Sequence, residues 1–194
     1  MEQLGEDAVG LLDALHIQAV HWVGLSMGGM IGQYLALNHA NRLLSLVLCD
    51  TAAAIPEEAN AMRNDRIQIA REKGMEALVE PTMDRWFTPA YREQNPHQVE
   101  VIRKQFLATP VGGYIGCSEA IGGLNYLERL PEIRTSTLII VGEDDPGTPV
   151  ELSEAIHERI PGSRMVVLPS AAHLSNVEQA EAFNRALLDF LPGD

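Results

Sequence analysis

Cysteine is nearly absent from this chain, with two residues, Cys49 and Cys117, among 194. Both lie in apolar surroundings without metal-ligand spacing, which argues for buried free thiols and against a disulfide framework. Basic residues are also scarce, 14 against 27 acidic ones, for a formal net charge of −13. A surface of that sign repels phosphate backbones and anionic lipid, so neither nucleic acid nor a membrane surface is an expected partner. No apolar run approaches the roughly 18 residues of a membrane span. The start Met1-Glu2-Gln3-Leu4 has neither a basic nor an apolar leader region, and a cytoplasmic protein is expected. Internal repeats and low-complexity tracts are missing too.

What is present is an apolar content of 46 %, enough for one sizeable core. Leu4, Ala8, Leu11, Leu12 and Leu15 share one helical face, which predicts an amphipathic helix feeding a first strand at Ala19–Val23. That strand is apolar on both faces, as a covered parallel strand should be. A helix from Met27 to about Asn38 and a second strand at Leu43–Cys49 follow. Between 52 and about 110 the strand pattern gives way to charged helical segments punctuated by prolines, which reads as an insertion lying over the sheet. Beyond it a glycine-interrupted helical stretch, 112–130, leads to strands at 137–141 and 164–168. A helix over 149–160 has Thr148 as its cap, and a last helix opens with a capping box at Ser175-Asn176-Val177-Glu178. Strand–helix alternation predicts an α/β domain with a short parallel sheet flanked by helices. Residues 1–51 and 111–194 would form its core, and 52–110 a helical cap.

Function in such a sheet collects just beyond the carboxyl ends of the strands. The first strand ends in Gly24-Leu25-Ser26-Met27-Gly28, a Gly-X-Ser-X-Gly turn entering a helix, which is the pattern of a nucleophile elbow. The third strand end carries Glu143, Asp144 and Asp145, and the fourth carries His173. A serine hydroxyl needs an imidazole to take its proton, and the imidazole needs a carboxylate to fix its tautomer. Of the six histidines only His173 follows a strand at its carboxyl end. Spacing alone leaves all three adjacent carboxylates open as the acid.

The blocks Gly24–Gly32, Gly142–Pro149 and Ala171–Asn176, with Tyr114–Ile121, resemble alpha/beta-hydrolases of the 3-oxoadipate enol-lactonase and carboxylesterase group. The resemblance implies an alpha/beta-hydrolase fold with a helical cap and hydrolysis of a small-molecule carboxylic ester or lactone, with no metal or organic cofactor. It implies Ser26 as nucleophile, His173 as base and, by the position three residues after Gly142, Asp145 as acid. The Met27 amide would be an oxyanion donor. Trp86, with Met83 and Phe87 nearby, would wall the substrate pocket. The resemblance spans the C-terminal two thirds of a usual member, whose first strands and His-Gly oxyanion loop have no counterpart here, so the fold is expected to be truncated. The Ala19–Val23 strand would then be an apolar edge, and an edge of that kind invites pairing, which predicts a homodimer through that strand or its flank. Cofactor-free perhydrolysis and a non-catalytic, dimeric binding protein are the alternative readings.

Overall fold

In the computed structural model, which describes residues 1–191, four strands pair in chain order and all in parallel: β1 (Val20–Leu25), β2 (Leu43–Cys49), β3 (Thr137–Gly142) and β4 (Arg164–Leu168). The helices are α1 (Glu2–Ala14), α2 (Met27–Asn38), α3 (Glu57–Lys73), α4 (Glu76–Trp86), α5 (Pro89–Gln94), α6 (Pro96–Leu107), α7 (Val111–Gly122), α8 (Val150–His157), α9 (Ser175–Glu178) and α10 (Ala180–Phe190). The sequence-predicted parallel sheet flanked by helices is therefore the observed architecture. None of the helices is long and apolar enough to cross a membrane, among the described residues.

Alternation along the strands divides the core between two faces. Leu46, Leu48 and Ile139 point to one face, where they meet Leu35 and Ala36 of α2 and Ile156 of α8. Val47, Cys49, Leu138 and Ile140 point to the other, against Phe183 of α10. Each fully buried Leu or Ile contributes about 1.5–3 kcal/mol, so the two central strands, buried along almost their whole length, carry most of the sheet's stability.

β1 departs from the expectation of a strand covered on both faces. Val20 and Trp22 are half-buried, whereas His21 and Val23 are exposed. The reason is its place at the edge of the sheet, with α2 on one face and α10 packed on β3 and β4 instead.

The helical layer has a core of its own. Met75, Leu78, Met83 and Phe87 pack with Val99 and Phe106. Helix α7 lies on α3, and its Tyr114 and Ile115 join this cluster. The core of the layer thus takes in side chains from the first half of α7.

Two caps expected from the sequence are not formed, and tertiary partners explain both. Ser175 donates its hydroxyl to buried Asp50 (2.5 Å), and Glu178 accepts from the Thr88 and Ala172 amides (2.6 and 3.1 Å), so neither serves its own helix. Thr148 likewise turns away from α8, which begins after Pro149, and binds Asp145.

Candidate active site

The turn between β1 and α2 is strained by its sequence. Ser26 holds φ 53° and ψ −115°, a region that side-chain-bearing residues occupy at a cost of about 1–3 kcal/mol. It is held there from several sides. The Ser26 amide donates to the Cys49 carbonyl (2.8 Å), and the Ser26 carbonyl accepts from the Thr51 hydroxyl (2.7 Å) and the Gly29 amide (3.0 Å). Gly24 is required for the close passage, because a Cβ there would lie 2.2 Å from the Gly28 carbonyl. Gly28 itself faces open space, so the second motif glycine is not demanded by contact of its own Cβ. The result is a serine hydroxyl projecting beyond the sheet at the start of a twelve-residue helix, whose first amides lack intrahelical partners. The Met27 amide is the first of these.

The three strand ends converge. His173 Nε2 lies 2.9 Å from Ser26 Oγ, and His173 Nδ1 lies 2.8 Å from Asp145 Oδ2. Both His173 and Asp145 are buried, whereas Glu143 and Asp144 are exposed. Asp145 turns inward because its own loop binds it. Oδ1 accepts from the Gly147 and Thr148 amides (2.8 and 3.0 Å), and Oδ2 accepts from the Thr148 hydroxyl (2.6 Å). Burial alone would raise this carboxyl. The hydrogen bond and charge of His173, with the Thr148 bonds, outweigh burial and hold it below the ordinary Asp value.

The loops that carry Asp145 and His173 are also packed on each other. A Cβ on Gly142 would lie 2.4 Å from the carbonyls of Ala171 and Ala172, the residues leading into His173. The helical layer is stitched to the same loop, since the Leu174 amide donates to the Trp86 carbonyl (3.1 Å). The Trp86 ring, expected to wall the pocket, packs edge-on against Phe106 at 5.6 Å within the helical cluster.

Three groups near the site carry little signal in the sequence. Thr148 could have been found from the turn Asp145-Pro146-Gly147-Thr148, in which an Asp commonly accepts from amides two and three residues on. Asp50 is a fully buried carboxylic acid at the end of β2. Arg85 of α4 lies against the loop that carries Asp145, where a Cβ on Gly147 would be 3.6 Å from its Cδ. No cluster of three or more potential metal-ligating side chains occurs among the described residues.

The pattern of the alpha/beta hydrolase fold matches residues 1–180. A 3-oxoadipate enol-lactonase of Acinetobacter baylyi is 37% identical over 187 residues, which are 96% of this chain and 69% of that protein. The crystal structure of the enol-lactonase from Burkholderia xenovorans superposes with a TM-score of 0.92 at 38% identity, covering 97% of this chain and 72% of that one. A thermophilic esterase from Thermogutta terrifontis, solved with malate bound, gives a TM-score of 0.88 at 30% identity over 95% of this chain and 69% of that one.

Proposed function

The chain belongs to the alpha/beta hydrolase family, and from that premise we propose that it is a carboxylic ester hydrolase in which Ser26, His173 and Asp145 are nucleophile, base and acid. The observation that carries this reading is the continuous relay from Ser26 Oγ through His173 to Asp145, with links of 2.9 and 2.8 Å. His173 Nε2 takes the serine proton as Oγ attacks the carbonyl carbon, and the Met27 amide donates to the oxyanion that develops. The imidazolium then returns the proton to the leaving oxygen. Water, deprotonated by His173, resolves the acyl-enzyme. Asp145 keeps a proton on Nδ1 throughout, so that Nε2 always faces the serine as an acceptor.

The preferred substrate in this reading is a lactone or ester that carries a free carboxylate. Arginines elsewhere in the helical layer are paired: Arg71 with Glu119, Arg92 with Asp84, and Arg103 with Glu80. Arg63, Arg66 and Arg85 have no ion-pair partner among the described residues, although acidic groups outnumber basic ones in the chain by 27 to 14. All three are half-buried, and Arg85 reaches the acid loop. Burial first, and then repulsion from Arg66, lowers both the Arg85 and Arg63 guanidinium values. Guanidinium groups gathered and partly desolvated without an ion-pair partner are stabilised by an anion supplied from outside. An enol-lactone of 3-oxoadipate, the substrate in the name of the Acinetobacter baylyi relative, and the malate of the Thermogutta terrifontis esterase are both derived from dicarboxylic acids.

The test compares a carboxylate-bearing enol-lactone with an uncharged ester such as p-nitrophenyl acetate. Ser26→Ala should lose at least about 10³-fold on both. Arg85→Met should lose about 10- to 100-fold in kcat/KM on the charged substrate alone, the worth of one charge-assisted hydrogen bond. Equal effects of Arg85→Met on both substrates would refute the anionic preference, and full activity of Ser26→Ala would refute the hydrolase itself.

A further inference from the structure

Asp50 has no part in the chemistry above, yet it is among the most constrained residues of the molecule. It is 0% exposed, and its backbone holds a left-handed φ of 45°. Its carboxylate reaches two different loops. Oδ1 accepts from the Gly142 amide (2.8 Å), at the end of β3 where the acid loop begins. Oδ2 accepts from the hydroxyl of fully buried Ser175 (2.5 Å), two residues after His173. The next residue, Thr51, donates to the Ser26 carbonyl, so the end of β2 touches all three segments that meet at the site.

We propose that Asp50 is a positioning residue for His173: its carboxylate ties the acid-bearing and base-bearing loops to the end of β2 and sets a second negative charge near the imidazole. This role rests on the reading of His173 as the base. An amide side chain would suit a purely structural clamp. An asparagine could accept from the Gly142 amide and donate to Ser175 Oγ, keeping both bonds without burying a charge.

The position of the charge gives it a function. The titratable groups facing Asp50 are Cys49 on its own strand, Asp145 from the loop after β3 and His173 from the loop after β4. Burial pushes the Asp50 carboxyl up to about 7, against the lowering effects of Ser175, Gly142 and His173, while Asp145 adds to the rise. Above that pH the group is ionised inside the fold. There its charge favours the imidazolium that forms as Ser26 attacks. The sign for stability is opposite. A carboxyl raised in the folded state makes the protein lose stability as pH climbs from the ordinary Asp value of about 4 to about 7. The native protein therefore holds a charge that weakens the fold above neutrality.

Asp50→Asn separates these roles. At about pH 8 it should melt higher than the wild type, and the gap should close as pH is lowered to about 4. Its kcat should fall about 3- to 10-fold with KM within about twofold, and the acidic limb of its kcat/KM profile should move about half a unit to a unit lower. Asp50→Ala, which also breaks both bonds, should lose more kcat and melt lower at either pH. A clamp without an electrostatic role would leave the Asp50→Asn profile superimposed on the wild type, and that result overturns the proposal. So does an Asp50→Asn melt that is no higher at about pH 8. Ser26→Ala is assayed alongside: if it loses activity while Asp50→Asn does not, only the role of Asp50 fails, whereas hydrolysis independent of Ser26 overturns both.

Discussion

Replacing Asp145 by asparagine changes one atom and should stop the chemistry, for a reason that can be traced bond by bond. Oδ1 accepts from the Gly147 and Thr148 amides, which cannot reverse their direction. Oδ2 accepts from the Thr148 hydroxyl, which can reverse, and from His173 Nδ1. The new NH2 must therefore take the Oδ2 position, since at Oδ1 it would face two donors and forfeit both bonds. From there it donates to His173 Nδ1, which has to become an acceptor. The ring proton moves to Nε2, 2.9 Å from Ser26 Oγ, and an imidazole with a proton on that nitrogen cannot take another. Loss of tautomer control at intact geometry is worth about 10⁴-fold in kcat, or about 5.5 kcal/mol of barrier. Most of the Asp145 bonds survive, so the melting temperature at neutral pH should fall by only a few degrees. The assay is initial-rate hydrolysis of p-nitrophenyl acetate and of a carboxylated enol-lactone, with circular dichroism to confirm folding. A folded Asp145→Asn protein within tenfold of wild-type kcat would refute the reasoning.

The same carboxylate should set part of the acid sensitivity. Its folded value is depressed, so its contribution to stability is complete above the ordinary Asp value of about 4 and is lost as pH falls through the lower folded value. The melting difference between wild type and Asp145→Asn should accordingly shrink to nothing as pH is taken from about 4 towards 2; a difference unchanged over that range would contradict it. Gly24→Ala should open the elbow, since its Cβ would lie 2.2 Å from main-chain atoms of Gly28 that cannot swing aside. We expect a loss of at least about 3 kcal/mol in a denaturant titration, with activity falling in parallel. The exposed edge at β1, where Val23 is 42% exposed, is proposed to pair with a second copy of the chain. Sedimentation should report a dimer at micromolar concentration that Val23→Lys shifts to monomer, and a wild-type monomer would count against it.

How legible each part was in the sequence followed from how local its cause is. The elbow could be read because strand, turn and helix are contiguous and Gly24 is dictated by contact with Gly28, four residues on. His173 could be singled out as the histidine beyond a strand end. Choosing among Glu143, Asp144 and Asp145 needed the structure, or a resemblance, because what turns one carboxylate inward is a pair of amides at Gly147 and Thr148 and the direction of a buried ring. Ser175 and Glu178 match a helix-capping pattern and yet bind Asp50, Thr88 and Ala172, since a cap competes poorly with buried long-range partners. Asp50 had no signal at all. A strand-terminal Asp ordinarily reads as a turn residue, and its burial between two loops from the far end of the chain is a property of the assembled sheet.

The central claim is that Ser26 is a nucleophile activated by His173, and its most direct test is intact-mass analysis after incubation with a fluorophosphonate. We predict one adduct per chain in the wild type, none in Ser26→Ala, and labelling slowed by about 10³-fold or more in His173→Ala. A folded wild-type protein that takes no label, or a Ser26→Ala protein that labels as fast as the wild type, would contradict the account.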